Sequence, residues 1–423
     1  MRGSPATLGR GAPRRHVCVV TETYPPEING VASTLHRLVC GLRGLDRRVS
    51  LVRPRQGVDD RPREGDGLDA LLVAGVSVPS CGGVRIGLPA GGALRDRWNA
   101  DRPDSVYVAT EGPLGWSAVR AARALAIPVF GGFHTNFHGY ARHYRAGWLA
   151  PLVFRYLRRF HNRTRGTLVA SPDLRDGLSA AGVERLHVLG RGVDVRMFTP
   201  ARRSPALRER WGVSSDDGLV ALYVGRLAPE KNIGLAIRAY RAMQRADRSV
   251  RFVLVGDGPL RVALETAHAD LHFCGTQIGE RLAAHYASAD VFLFPSETET
   301  FGNVTLEAMA SGLAVVAFDY GAAAVHIAHG ETGVLVPRGA RGAFVAAAAA
   351  LAGAPSSIAR MRRRAPESAA RADWSVIVER FDALLGDVLV EGAVARNDYG
   401  GTARTAKVGR VSTDPTRLGG DTC

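Results

Sequence analysis

The sequence predicts an α/β protein made of two doubly wound, Rossmann-like domains, and three observations predict it. Short apolar, β-branched runs recur along all but the ends of the 423 residues. Stretches of helical periodicity separate them, and parallel strands need crossover connections that helices usually supply. The length also suits two domains of ~100–200 residues each.

A first series of strands is read at 16–21 (HVCVVT), 49–54, 105–110, 127–132, 167–171 and 186–190. A second series follows at 219–225, 251–256, 271–275, 291–295, 314–318 and 333–337. Between them, RMFTPARRSP (196–205) is polar and turn-rich, which places an N-terminal domain over 16–200 and a C-terminal domain over 201–373. Apolar positions at helical spacing predict one further helix over 374–390. The basic, Gly/Pro-rich start (1–15) and the aperiodic Gly/Thr/Arg-rich end (391–423) are expected to be disordered.

Composition excludes several classes. No run approaches the ~18–20 apolar residues of a membrane-spanning helix. The basic start leads into a short strand rather than the apolar segment of a secretory signal. Five scattered cysteines show no metal or redox spacing, and a cytoplasmic protein is expected. The net charge of +15 is carried almost wholly by arginine, Lys231 and Lys407 being the only lysines. No nucleic-acid-binding motif accompanies that charge, so no nucleic-acid partner is expected.

Ligands of open α/β sheets bind beyond the carboxyl ends of the strands. There the strand 219–225 runs into GRLAPEKN, which sets Arg226 and Lys231 five residues apart before a helix. Read alone, this loop fits a diphosphate site or two solvated charges equally well. The choice of Lys at 231 in an arginine-rich chain favours a site that wants a compact ammonium.

The strand 291–295 runs into SETETFGNVTLEAMASG, with Glu299 in the loop and Glu307 eight residues on, in a helix that Asn303 is expected to cap. Backbone N–H groups of Gly302, Asn303 and Val304 are expected to face the same pocket as the two cations. Carboxylates at 299 and 307 suit sugar and ribose hydroxyls. The apolar run after Glu307 implies a buried helix, where a carboxylate needs a partner.

Together, GRLAPEKN and ETETFGNVTLEAMASG resemble the donor-site signature of retaining family-4 glycosyltransferases with the GT-B fold. Segments 21–38, 51–56, 109–116, 132–144 and 190–200 are similar to bacterial and plant members that handle GDP-mannose or UDP-sulfoquinovose, so the resemblance runs from about 16 to about 390. It implies that Arg226 and Lys231 bind the diphosphate, Glu307 the ribose and Glu299 the transferred sugar. It also places Gly30 across the cleft near the phosphates, where glycine permits close approach, and His134 against the donor sugar. On its residues alone His134 is equally well a structural histidine. His138 and His143 fit structural or acceptor-side roles.

The implied reaction is hexosyl transfer, mannose from GDP-mannose being favoured, to a lipid or glycan acceptor. A UDP-sugar-dependent glycolipid synthase, an epimerase or a non-catalytic nucleotide-sugar binder are the alternatives. No Asp-x-Asp pair occurs, and two cations with a helix terminus can take a metal's place, so metal-independent catalysis is expected. A dehydrogenase is disfavoured because no G-x-G-x-x-G follows the first strand. The segment 140–165 mixes aromatic residues with arginine; it either touches an anionic membrane surface or packs its apolar face on the domain, and the second is favoured. Val325 departs from the family pattern, which commonly has Glu there.

Overall fold

The structure is a computed structural model, and it describes residues 14–27, 29–57, 60–61, 68–77, 85–134, 150–213, 218–299 and 301–386. The first half carries β1 (His16–Val20), β2 (Arg48–Pro54), β3 (Asp69–Val73), β4 (Gly75–Ser77), β5 (Arg85–Gly87), β6 (Ser105–Val108), β7 (Val129–Phe133), β8 (Gly166–Val169) and β9 (Leu186–Val188). The second half carries β10 (Val220–Val224), β11 (Arg251–Val255), β12 (His272–Phe273), β13 (Val291–Phe294), β14 (Ala314–Phe318) and β15 (Gly333–Val336).

Seven strands form one parallel sheet in the order β3-β2-β1-β6-β7-β8-β9, and six form another in the order β12-β11-β10-β13-β14-β15. Both sheets are covered on both faces, which is why their central strands read as unbroken apolar runs. Along β1, Val17 and Val19 enter one core with Leu35, Leu38 and Phe381, while Cys18 and Val20 enter another with Trp98, Val106 and Leu114. In β10, Val220, Leu222 and Val224 alternate in the same way with Ala221 and Tyr223.

All twelve expected strands are present, most one or two residues shorter at their carboxyl ends. The sequence reading missed β3 and the antiparallel pair β4–β5. They are short, only partly buried strands flanked by Gly- and charge-rich segments, and so lack the signal that marks the interior strands.

The final helix, Trp374–Gly386, returns to the first sheet and packs on the helix Gly30–Gly44. Their approach depends on Gly41, because a Cβ there would lie 2.3 Å from a methyl of Val378. Asp382 on the same helix pairs with Arg15 at 2.5 Å and Arg47 at 3.0 Å. Residues 387–390 of the expected helix, and the two ends apart from Arg14 and Arg15, lie outside the described residues.

Candidate active site

In each sheet the strand order reverses at one place, between β1 and β6 and between β10 and β13. The crevice at such a switch point is where open α/β sheets bind ligands. The loops after β10 and β13 hold Arg226, Lys231 and Glu299, and the helix that follows the second loop holds Glu307.

After β10 the chain passes through Gly225 at φ +153° and is anchored by Leu227 and Ala228, both buried. It closes a short 3-10 turn, Pro229–Lys231, and Asn232 in the left-handed region (φ +57°) starts the helix Ile233–Ala246. The loop is stitched to its neighbour after β13: Asn232 Nδ2 donates to Pro295 O at 3.3 Å, and Thr298 Oγ1 to Glu230 O at 3.2 Å.

The two cations of this loop behave differently. Arg226 leaves 67% of its side chain in solvent, with Glu230 at 3.9 Å. Lys231 is turned inward and meets Glu299 Oε1 at 2.5 Å, with 22% and 17% of the two side chains exposed. Ser296 Oγ donates to the same oxygen at 2.7 Å. Tyr320 holds the loop behind them, its hydroxyl donating to Ser296 O at 2.8 Å and accepting from Glu299 N at 3.1 Å.

The helix Asn303–Ala310 begins beside this pair. Its N-cap is Gly302 at φ +95°, and no cap side chain satisfies the terminal N–H groups among the described residues. This corrects the expectation that Asn303 caps the helix. The left-handed backbone needed at the cap is cheap only for glycine, so the boundary shifts one residue and Asn303 becomes the first helical residue. Its Oδ1 is buried without a hydrogen-bond partner among the described residues. A Cβ built on Gly302 would lie 3.6 Å from Glu299 Cγ, so the helix terminus and the Lys231–Glu299 pair share one locality.

Glu307, one turn into the helix, has the partner its burial requires: Tyr286 donates to Oε2 at 2.9 Å. Burial pushes the Glu307 carboxyl up to about 7, against the Tyr286 hydrogen bond that favours its ionised form. The helix Gly321–His326 packs behind, where Gly321 (φ +57°) leaves room for Phe301 O, and Val325 on it is half-buried.

In the first sheet Asn29 caps the helix Gly30–Gly44 through Val31 N (3.1 Å) and Ala32 N (2.8 Å). Gly30 is exposed, and the nearest neighbour of a Cβ there would be Arg191 Nη1 at 3.8 Å, so internal packing does not demand glycine. His134 follows β7, with Nε2 2.9 Å from the Tyr107 hydroxyl and Nδ1 buried without a partner among the described residues. Burial, aided by Arg191 and His161, pushes the imidazole down to about 3, so it is neutral at any physiological pH. His138 and His143 lie outside the described residues.

Sequence reasoning missed Tyr107, Tyr286, Tyr320 and Arg191. Tyr107 and Tyr286 sit in ordinary strand and helix patterns, and Tyr320 in the bend after β14, none of which carries a sign of what the side chain faces. Arg191 lies in a segment, GRGVDVRMFTP, whose likeness to relatives drew notice without singling it out.

Comparison with known proteins places these elements in a family. A model described as glycosyl transferases group 1 matches residues 218–353, and one described as glycosyltransferase family 4 matches 28–197. A GDP-mannose-dependent alpha-mannosyltransferase of Mycobacterium tuberculosis is 35% identical over 329 residues, covering 76% of this chain and 84% of the relative. The chain belongs to glycosyltransferase family 4. Sulfoquinovosyl transferase SQD2 of Arabidopsis thaliana is 30% identical, over 72% of this chain and 59% of its own. Among solved structures, Anabaena HepE in complex with UDP superposes with a TM-score of 0.69 at 19% identity, covering 88% of this chain and 99% of that one, which establishes the GT-B fold. This family-4 chain is therefore a glycosyltransferase that draws a sugar from a nucleotide-sugar donor.

Among the described residues no three His, Cys, Asp or Glu side chains converge as a metal site. No single helix there is long and apolar enough to cross a membrane. Of the segment 140–165, the helix Ala150–His161 buries Leu157 and Phe160 and stacks Tyr156 on Trp116 at 5.6 Å, while Leu152 stays exposed.

Proposed function

We propose that this chain is a retaining, metal-independent α-mannosyltransferase that uses GDP-mannose and glycosylates a lipid or glycan acceptor on the cytoplasmic side of a membrane. The observation that carries the proposal is the grouping of Lys231, Glu299 and the uncapped Gly302 helix terminus at the switch point of the second sheet, with Glu307 one turn beyond. Support for the donor comes from the mycobacterial relative named above. The residues 16–200 and 201–373 would serve as acceptor-side and donor domains.

Arg226, Lys231 and the N–H groups of Gly302, Asn303 and Val304 take the diphosphate, and their positive field stabilises the charge that develops as the glycosidic bond breaks. Glu307 accepts from the ribose hydroxyls in its ionised form. Gly30 lets the opposite helix terminus approach the phosphates. Neutral His134 hydrogen-bonds the sugar through a nitrogen that needs no counter-charge.

Glu299 acts as a hydroxyl acceptor rather than as a nucleophile. Lys231 and Ser296 already engage its Oε1, which lowers the reactivity of the carboxylate. Attack therefore comes from the acceptor hydroxyl on the face the leaving group departs from, with the departing phosphate taking the proton.

The test is transfer from GDP-mannose to diacylglycerol-type and oligosaccharide acceptors, with the product anomer read by NMR and EDTA present in a parallel reaction. A thermal-shift panel of GDP, UDP and ADP identifies the base. Lys231→Ala or Glu299→Ala with undiminished transfer overturns the site, activity lost with EDTA overturns the metal-free mechanism, and stabilisation by UDP alone overturns the donor.

A further inference from the structure

Arg191 is an anomaly by the ordinary rules of burial. Only 7% of the residue is exposed, yet no carboxylate among the described residues pairs with it. A buried charge without a counter-charge is costly, and such groups call for a function. Its Nη1 donates to Gly30 O at 3.5 Å and to Thr34 Oγ1 at 3.3 Å, both in the first turn of the helix Gly30–Gly44. Its Nε is buried without a partner among the described residues. Arg191 also lines a small pocket, about 20 Å3, together with Thr34, Tyr107, His134 and Trp374.

We propose that Arg191 is a positioning residue, a single guanidinium that holds the Gly30 turn in place and lines the same pocket as the Tyr107–His134 pair. It rests on the donor role given above to Gly30 and His134. Two effects follow from one side chain. Nη1 alone reaches both Gly30 O and Thr34 Oγ1, which fixes where the helix N–H groups point. Its charge disfavours a second cation on His134, so the imidazole stays neutral and keeps one lone pair free.

The groups facing His134 are Tyr107 from β6, Arg191, and His161 from the helix Ala150–His161, with Glu111 behind at 3.3 Å from His161 Nε2. His161 and Arg191 both oppose protonation of His134, and Arg191 is the fixed charge of the two. Lysine keeps the charge but lacks the planar guanidinium geometry that carries Nη1 to Gly30 O and Thr34 Oγ1. This separates the two effects.

The experiment compares the full-length wild type with Arg191→Met and Arg191→Lys, reading kcat and KM for the donor and the His134 titration by NMR, assigned with His134→Gln. Arg191→Met is expected to lower kcat roughly tenfold or more with a much smaller change in KM. It should also raise the His134 titration, because one of the charges that oppose its protonation is gone. Arg191→Lys should return the titration to its wild-type position while leaving kcat depressed. Wild-type kcat together with an unmoved titration in Arg191→Met overturns the proposal.

If Arg191→Met fails to fold, Thr34→Val carries the test: it removes one acceptor and should lower kcat several-fold with the titration unchanged, and an unaltered kcat overturns the positioning role. The titration arm needs no donor. A wild type that transfers nothing but shows the Arg191-dependent titration refutes the donor role of the pocket and leaves the electrostatic coupling standing.

Discussion

Replacing Glu307 by Gln separates what the carboxylate does for the fold from what it does for the ligand. The side chain is half-buried against Tyr286, and burial moves its carboxyl from the usual 4.5 to about 7. At ~1.36 kcal/mol per pH unit, that difference sets about 3 kcal/mol against the charged form once the pH is well above 7. Because the folded protein holds the proton more tightly than the unfolded chain, this stability is present in full below about pH 4.5 and is lost as pH rises through 7. Gln is a neutral isostere and escapes the loss. Wild type and Glu307→Gln should therefore unfold alike near pH 4.5, whereas at pH 8.5 the variant should be the more stable by up to about 3 kcal/mol. Nucleotide binding should move the other way. Charge-assisted hydrogen bonds to ribose hydroxyls are worth ~1.5–3 kcal/mol, so at pH 8.5 the variant should bind GDP about tenfold or more weakly, and near pH 5.5 the gap should close. Chemical denaturation and titration calorimetry at these pH values supply both readouts. A stability gap that is the same at every pH, or a wild-type affinity that ignores pH between 5.5 and 8.5, refutes the assignment.

Three further outcomes are expected. Gly132→Ala puts a Cβ 2.1 Å from the Tyr107 hydroxyl, which should cost about 1–3 kcal/mol of stability and displace Tyr107 from His134, read as a lowered melting temperature with a lowered kcat. Asp290, buried, accepts from Arg203 (2.9 Å), Arg208 (3.0 Å) and Arg362 (2.8 Å) and from Val220 N; Asp290→Asn should destabilise by about 3–5 kcal/mol in urea unfolding without changing nucleotide affinity in the folded protein. His134 protonates near 6.5 in the unfolded chain but only at about 3 in the folded one, so stability should fall as pH drops from about 6.5 towards 3, by ~1.36 kcal/mol per pH unit, and His134→Gln should flatten that slope.

The sequence disclosed the fold because its interior strands are buried on both faces, and such strands show as short apolar runs: VALYV and AVVAF are two of them. It disclosed the donor loops because their chemistry is local, two cations in one loop and two carboxylates eight residues apart. Interactions between distant elements were not legible. Lys231 and Glu299 were each singled out, but that they touch depends on the register of β10 against β13. Tyr286 reaches Glu307 from a different helix, and Arg191 reaches Gly30 across 161 residues of chain. The misplaced cap at Asn303 has a smaller cause: side-chain chemistry favoured Asn, and the positive φ that decided for Gly302 is a backbone fact.

The return of the last helix to the first sheet has a mechanical consequence. The chain crosses between the sheets twice, after β9 and again before Trp374, and the crossings run side by side, with Val193 N bonded to Ala372 O and Trp374 N to Val193 O. Two crossings bonded to each other resist twist between the sheets more than a single one would. The far end of the second crossing is fastened by Phe381, Val378 and Ile377 in the core of the first sheet and by Asp382 between two arginines. Shortening the chain at residue 373 would therefore remove a wall of that core and the second connection between the sheets together.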